Sequence, residues 1–276
     1  MIKINNKRVE SFKFSGGELQ VNIKNILNEY KHLGLSEMVI EADILSSDDL
    51  IELLLVVDAI KRRLMNADIR LHILYLPYAR QDRVCSEGEA LSLKVICDLI
   101  NSLNFSYVLT ADVHSSVSSC LLNKHADMAQ YKLISSMLRD IGRKTFVLIS
   151  PDKGAAKKIY DVYNNNSNIF TDVIICDKLR CPKTGNILET TIPEIDLSGK
   201  DLFIADDICD GGRTFIELAK KLKEKNPKSL TLYVTHGLFS KGLDELIQYF
   251  DKIYCYNLLK DVKHEKLIIT RKAYEE

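Results

Sequence analysis

Short apolar runs rich in β-branched residues alternate along this chain with longer segments of helical period, and that alternation restricts the fold more than any other feature. Parallel strands need a crossover of roughly a dozen or more residues, and a helix fills it compactly, so the pattern reads as a parallel sheet flanked by helices. "EMVIEAD" (37–43) is the first such strand. Ser46 with Asp49 three residues later resembles a capping box, and Leu50, Leu53, Val57, Ile60 and Leu64 then form one helical stripe. The pattern repeats with "RLHILYLP" as strand, "SLKVICDLINSLN" as helix and "YVLTADVH" as strand. From about Met128 it begins again, with helix "YKLISSMLRDIG", strand "TFVLISPD", helix "AAKKIYDVY" and strand "TDVIICDK". After a polar loop come strand "DLFIADD", helix "TFIELAKKLKEK" and strand "LTLYVTHG". The expectation is an α/β protein of two similar domains, residues 1–130 and 131–276. Residues 180–200, broken by Pro182, Gly185 and Pro193, keep no period and are expected to form a mobile loop.

A chain of 276 residues with 46% hydrophobic side chains can build cores of this size. Its 38 basic and 38 acidic residues cancel, so no global field recruits nucleic acid or an anionic membrane, and neither is expected as a partner. Any bound anion must be held locally. The seven cysteines (Cys85, Cys97, Cys120, Cys176, Cys181, Cys209, Cys255) are scattered and form no C-x-x-C pair. That pattern argues against disulfides and structural zinc, and for a reducing compartment. "MIKINNKRVESFKF" is polar, without a long apolar run. The expected location is the cytoplasm.

In open parallel sheets, ligands gather beyond the carboxyl ends of the strands. Four such ends are chemically loaded here: Arg80, Gln81 and Asp82 after "LYLPY"; Asp112 and His114 after "VLTA"; Asp152 and Lys153 after "LISP"; Asp206 and Asp207 after "LFIA". Asp206 and Asp207 face opposite ways if the strand continues through them. A bend at Gly211 and Gly212 would let both approach one ligand. The glycines and the start of the following helix offer backbone N–H groups to a phosphate. Acids for vicinal hydroxyls beside such a loop suit a sugar phosphate.

"FIADDICDGGRT" resembles the phosphoribosyl-diphosphate loop of phosphoribosyltransferases and of ribose-phosphate diphosphokinases. Further segments select the diphosphokinase family. "YLPYARQDR" resembles its Y-A-R-Q-D segment, "LTADVHSS" its D-L-H segment, "ISPDKGAAKK" its S-P-D-x-G segment, "VTHGLFS" its T-H-G-x-F-S strand end and "KFSGGELQV" its F-S-x-x-E element, all in family order. The resemblance implies two tandem phosphoribosyltransferase-like (type I) domains. It implies an enzyme that passes the β,γ-diphosphate of ATP, with Mg2+, to the anomeric hydroxyl of a ribose 5-phosphate group and releases AMP. Phe14 and Glu18 would read the adenine of a neighbouring subunit, making a homo-oligomer, dimer or hexamer. Arg80, Gln81 and Asp82 would bind ATP, and His114 and Asp152 would meet magnesium. Lys178 and Arg180 in "CDKLR" would be catalytic together with His114. Asp206 and Asp207 would hold the ribose hydroxyls, with Asp210, Gly211, Gly212, Arg213 and Thr214 around the 5-phosphate.

The sequence departs from the family where the phosphate loop, usually D-T-x-G-T, reads Asp210-Gly211-Gly212-Arg213-Thr214. One hydroxyl donor is lost and an arginine replaces the last glycine. Ribose 5-phosphate is the first choice of acceptor; ADP-ribose, whose 5-phosphate continues into a diphosphate, is the second. "SEGEALSLK" replaces a more basic stretch after Y-A-R-Q-D, and Gly16 stands where an amide or acid commonly helps to read adenine. A catalytically silent regulatory homologue and a phosphoribosyltransferase acting on a base remain as competing classes. His72 reads as a packed strand residue rather than a ligand, His236 follows the same logic where T-H-G shapes a turn near the phosphate loop, and His32, His125 and His264 read as surface residues. Cys209 reads as packing rather than a nucleophile.

Overall fold

The computed structural model describes residues 1–32, 37–139, 141, 144–180 and 187–271. It divides into two compact units, Met1–Met128 and Ala129–Glu276. Among the described residues no helix is long and apolar enough to cross a membrane.

The first unit runs β1 (Ile2–Ile4), β2 (Lys7–Arg8), β3 (Ser11–Lys13), β4 (Leu19–Val21), α1 (Lys24–His32), β5 (Glu37–Ala42), α2 (Ser47–Arg63), β6 (Asp68–His72), α3 (Ser92–Ser102), β7 (Tyr107–Ala111), α4 (Ser116–Leu121) and β8 (His125–Met128). Its main sheet has the order β2-β1-β5-β6-β7-β8, parallel from β5 onward, while β3 and β4 form a separate antiparallel hairpin. The capping box forms. The Ser46 hydroxyl accepts the Asp49 N–H at 3.2 Å, and the Asp49 carboxylate accepts the Ser46 N–H at 2.7 Å. Leu50, Leu53, Val57 and Ile60 are buried as the helical period requires, joined by Val56, and Leu64 caps the helix half-buried.

The second unit runs α5 (Gln130–Leu138), β9 (Phe146–Ser150), α6 (Ala156–Asn165), β10 (Phe170–Ile175), β11 (Asp177–Arg180), β12 (Ile187–Thr191), β13 (Asp201–Cys209), α7 (Arg213–Lys223), β14 (Ser229–Gly237), α8 (Leu246–Tyr249), β15 (Lys252–Leu258) and β16 (Leu267–Ile269). The sheet order is β10-β9-β13-β14-β15-β16, all parallel. Both of its faces are covered. Leu202 and Ile204 join a cluster with Phe215, Leu218, Ala219 and Leu222 of α7, whereas Phe203 stacks among Phe146, Phe170 and Tyr233. The chain leaves β9 for β10 on one side and returns to β13 on the other. That reversal opens a crevice at the carboxyl ends of β9 and β13, where α/β sheets bind ligands.

Two expectations need correction. Residues 180–200 are not structureless: β11 and β12 pair as an antiparallel ribbon with Lys178 opposite Thr190, although 181–186 lie outside the described residues. The prolines and glycine that erase the period leave room for the β-branched run at 187–191. The pattern also stopped at β14, yet β15 and β16 extend the sheet, and β8 adds an edge strand to the first unit.

Candidate active site

In the second unit, β9 is buried throughout and delivers the chain to Asp152, whose carbonyl accepts the Ser150 hydroxyl at 2.7 Å. The Asp152 carboxylate receives the Ala155 N–H at 3.1 Å on Oδ1 and Lys178 Nζ at 2.5 Å on Oδ2. Burial works against the charged form of Asp152. The Lys178 ammonium and the N–H groups of Ala155 and Gly154 outweigh it and hold the carboxyl below the usual carboxylate range. Lys178 itself is buried, on β11. Arg180 ends the same strand, and its side chain lies outside the described residues.

Strand β13 continues through both acids to Cys209, so neither Asp206 nor Asp207 is in a turn. Burial pushes the Asp206 carboxyl up, and the neighbouring Asp207 and Asp152 charges add to the effect. Its partner is the Asp207 N–H, 3.0 Å from Oδ1. Asp207 is buried, with Lys158 Nζ of α6 3.5 Å from Oδ2. Lys158 is a neighbour that the sequence reading missed; its only signal was its closeness to Asp152 in the chain. The Cys209 thiol is buried and pushed up by that burial, an inert packing group.

The bend falls at Gly212, which takes a left-handed φ of 77° as the N-cap of α7. A Cβ there would also lie 3.1 Å from the Leu246 side chain. The first turn of α7 carries no acid, so its outward N–H groups favour an anion. Arg213 is exposed, and Asp210, Gly211 and Thr214 are half-buried around the turn. Residues 238–240 brace this loop: Cys209 O accepts the N–H groups of Leu238 at 2.9 Å and Phe239 at 3.2 Å, and Asp210 O accepts that of Ser240 at 3.2 Å. His236, buried in β14, lies 3.3 Å from Asn257 through Nδ1, the packed strand position expected of it. The Lys241 side chain lies against Gly211, with Cδ 3.5 Å from where a Cβ would stand.

In the first unit the segment after β6 turns at Tyr78, in a left-handed φ of 61°. Arg80 and Gln81 are exposed, whereas Asp82 is buried. Burial raises the cost of an Asp82 charge, but the Ser115 hydroxyl, Arg83 at 3.0 Å and the positive side of His114 lower its carboxyl overall. Asp82 therefore joins the ends of β6 and β7, and His114 stands exposed beside it. The turn at Asp112, with φ 48°, is secured by Asp127, which accepts the Val113 N–H at 3.2 Å and the Thr110 hydroxyl at 2.6 Å. His125 lies 2.7 Å from the same Thr110 hydroxyl. It is half-buried and its imidazole is pushed down by burial, so it is not the surface residue its sequence suggested. Phe14 and Glu18 are exposed at the β3–β4 hairpin, closed by a 2.8 Å bond from Phe14 N–H to Glu18 O.

Among the described residues no three His, Cys, Asp or Glu side chains form a ready metal cage. Magnesium commonly keeps waters and takes only one or two carboxylates together with substrate phosphates. The hard oxygens of Asp152, held charged, fit that requirement.

Crossover topology, a crevice between β9 and β13 and an acid-bearing strand leading into a helix N-terminus define a phosphoribosyltransferase-type α/β fold. Residues 121–269 match the family model of the phosphoribosyl transferase domain, and residues 1–103 match that of the N-terminal domain of ribose phosphate pyrophosphokinase. The chain is 32% identical over 235 residues to a ribose-phosphate pyrophosphokinase of Pasteurella multocida, covering 83% of this chain and 70% of that one. It is 31% identical over 196 residues to one of Mycoplasma pneumoniae, covering 70% and 58% respectively. The crystal structure of a phosphoribosylpyrophosphate synthetase from Mycobacterium smegmatis superposes with a TM-score of 0.77, at 20% identity, over 95% of this chain and 85% of that one. This chain belongs to the ribose-phosphate pyrophosphokinase family.

Proposed function

We propose that the protein transfers the β,γ-diphosphate of ATP to the anomeric hydroxyl of ribose 5-phosphate, giving 5-phosphoribosyl 1-diphosphate and AMP. The observation that carries this reading is the β13–α7 segment, where two acids lead within a few residues into a left-handed glycine and a helix N-terminus free of first-turn acids. Acids accept hydrogen bonds from ribose hydroxyls, and the N–H groups of the turn take the 5-phosphate. Family membership and the naming of its relatives support the same chemistry.

The hydroxyl oxygen attacks the β-phosphorus, a new O–P bond forms, and the bond to the α-phosphate oxygen breaks with AMP leaving. Such transfers depend on positioning and on neutralising charge. Arg80 and Gln81, exposed after β6, bind ATP, while Asp82 holds that segment in place. Mg2+, when bound, would offset charge on the phosphoryl oxygens; Asp152 would be the residue that holds it in the second unit, and His114 is the magnesium contact proposed for the first. Lys178 exchanges its Asp152 partner for the transferring phosphoryl group, joined by Arg180. Phe14 and Glu18, at an exposed hairpin, serve the adenine of a neighbouring subunit. The working form is then at least a dimer, and an active monomer in sedimentation would contradict that role. The reaction belongs to the cytoplasm, where both substrates are supplied.

One feature favours a second acceptor. Exposed Arg213 and Lys241 both border the phosphate loop, a pair of cations suited to a further phosphate beyond the 5-phosphate, as in ADP-ribose. Incubating the purified chain with ATP, Mg2+ and either acceptor, and following AMP by anion-exchange chromatography, tests both. AMP with ribose 5-phosphate supports the main reading, AMP with ADP-ribose alone supports the second, and AMP with neither leaves a non-catalytic subunit.

A further inference from the structure

We infer that Lys158 is a positioning residue for the acceptor, holding the Asp207 carboxylate where it accepts hydrogen bonds from the ribose hydroxyls. This rests on the acceptor site proposed above and adds a residue to it. Lys158 Nζ lies 3.5 Å from Asp207 Oδ2, with its side chain 31% exposed against 10% for the aspartate. A buried carboxylate that must stay charged and correctly aimed needs a fixed cation, and a lysine reaching in from a helix supplies one.

The place of Lys158 in its own helix strengthens the inference. It is the third residue of α6, at the positive end of the helix dipole, where a cation is disfavoured by roughly 0.3–1 kcal/mol. α2 by contrast carries Asp48 and Asp49 in its first turn, the signs the dipole favours, paired with Lys13 and the N-terminal ammonium. Helix stability therefore does not explain Lys158; its contact with the acidic strand end does. The two lysines of the site also divide the carboxylates between them, Lys178 on Asp152 and Lys158 on Asp207. The pair is partly buried, so losing the lysine also costs folding stability, and the charge-keeping Lys158→Arg is what separates the two roles by experiment.

The test is calorimetric titration of ribose 5-phosphate into the intact protein, beside steady-state kinetics, for Lys158→Met and Lys158→Arg. Lys158→Met is expected to weaken ribose 5-phosphate binding about tenfold, the loss of one charge-assisted hydrogen-bond arrangement. The KM for ATP should stay near wild type, and Lys158→Arg should restore most of the binding and of the unfolding temperature. Unchanged binding in Lys158→Met would overturn the inference, as would equal loss in both variants with a matching fall in unfolding temperature. If Lys158→Met does not fold, Lys158→Gln carries the same comparison with Lys158→Arg. Wild type that ignores ribose 5-phosphate but binds ADP-ribose refutes only the first-choice acceptor, and the variants are then compared on ADP-ribose. Wild type that binds neither refutes the proposed function, and the role of Lys158 falls with it.

Discussion

Replacing Gly237 with alanine should loosen the phosphate loop from behind. A Cβ at this position would stand 2.3 Å from Phe239 Cε2 and 2.8 Å from Cys255 Sγ, well inside contact distance. Gly237 is not among the left-handed glycines, so the backbone itself would accept alanine and the missing space is the obstacle. Phe239 cannot step aside cheaply. It is fully buried, it takes a left-handed φ of 42°, and its N–H is bonded to Cys209 O at 3.2 Å. Overpacking of a closed core costs ~1–3 kcal/mol, and two buried obstacles put this site toward the upper end. The displaced turn would carry Cys209 and Asp210 with it. Urea unfolding of Gly237→Ala should therefore show an unfolding free energy lowered by that amount, and the KM for the acceptor should rise more than that for ATP. Adding Phe239→Leu, which shortens the obstructing ring, should cost less than the two single changes summed. A Gly237→Ala protein as stable as wild type, or strict additivity in the double variant, would refute the reasoning.

Lys178→Met should lower kcat by about 10²–10³ while acceptor binding changes little, if its cation has the role proposed for it on charge that develops during transfer; rapid-quench measurement of AMP formation checks it. Asp49→Ala should cost about 1 kcal/mol at neutral pH through loss of the capping box. Burial opposes the Asp49 charge, but the Ser46 hydroxyl, two backbone N–H groups and the N-terminal ammonium lower its carboxyl in the folded state. Its stabilisation is present above the unfolded value of about 3.9 and lost as pH falls through the lower folded value, so the stability difference between wild type and Asp49→Ala should shrink progressively as pH falls below ~4. Removing divalent cations with EDTA should stop AMP release, and adding excess Mg2+ should restore it.

The parts of this fold that were legible in the sequence are those governed by local rules. The capping box at Ser46, the stripe along α2 and the apolar strands leading to Asp152 and Asp206 each follow from a few adjacent residues. Edge strands were harder. β8 is only "HADM", half-buried and without β-branched residues, and it exists because β7 offers it a parallel partner. The β11–β12 ribbon was hidden by the helix-breaking residues inside it. Among the site residues, acids at strand ends announce themselves, but their neighbours do not. Lys158 reaches Asp207 across 49 positions of sequence, Phe239 fits against Gly237 only once the turn has closed, and His125 finds Thr110 across a strand pair. Such contacts are set by tertiary packing, which leaves no local pattern to read.

The central claim is that an intact diphosphate moves to the anomeric oxygen of a ribose 5-phosphate group. Phosphorus NMR of a complete reaction with ATP, Mg2+ and ribose 5-phosphate tests it most directly. Equal amounts of AMP and of a sugar carrying both a 5-phosphate and a diphosphate coupled to the C1 proton are expected. ADP with a sugar bisphosphate, or ATP consumed with no phosphorus on C1, would contradict it.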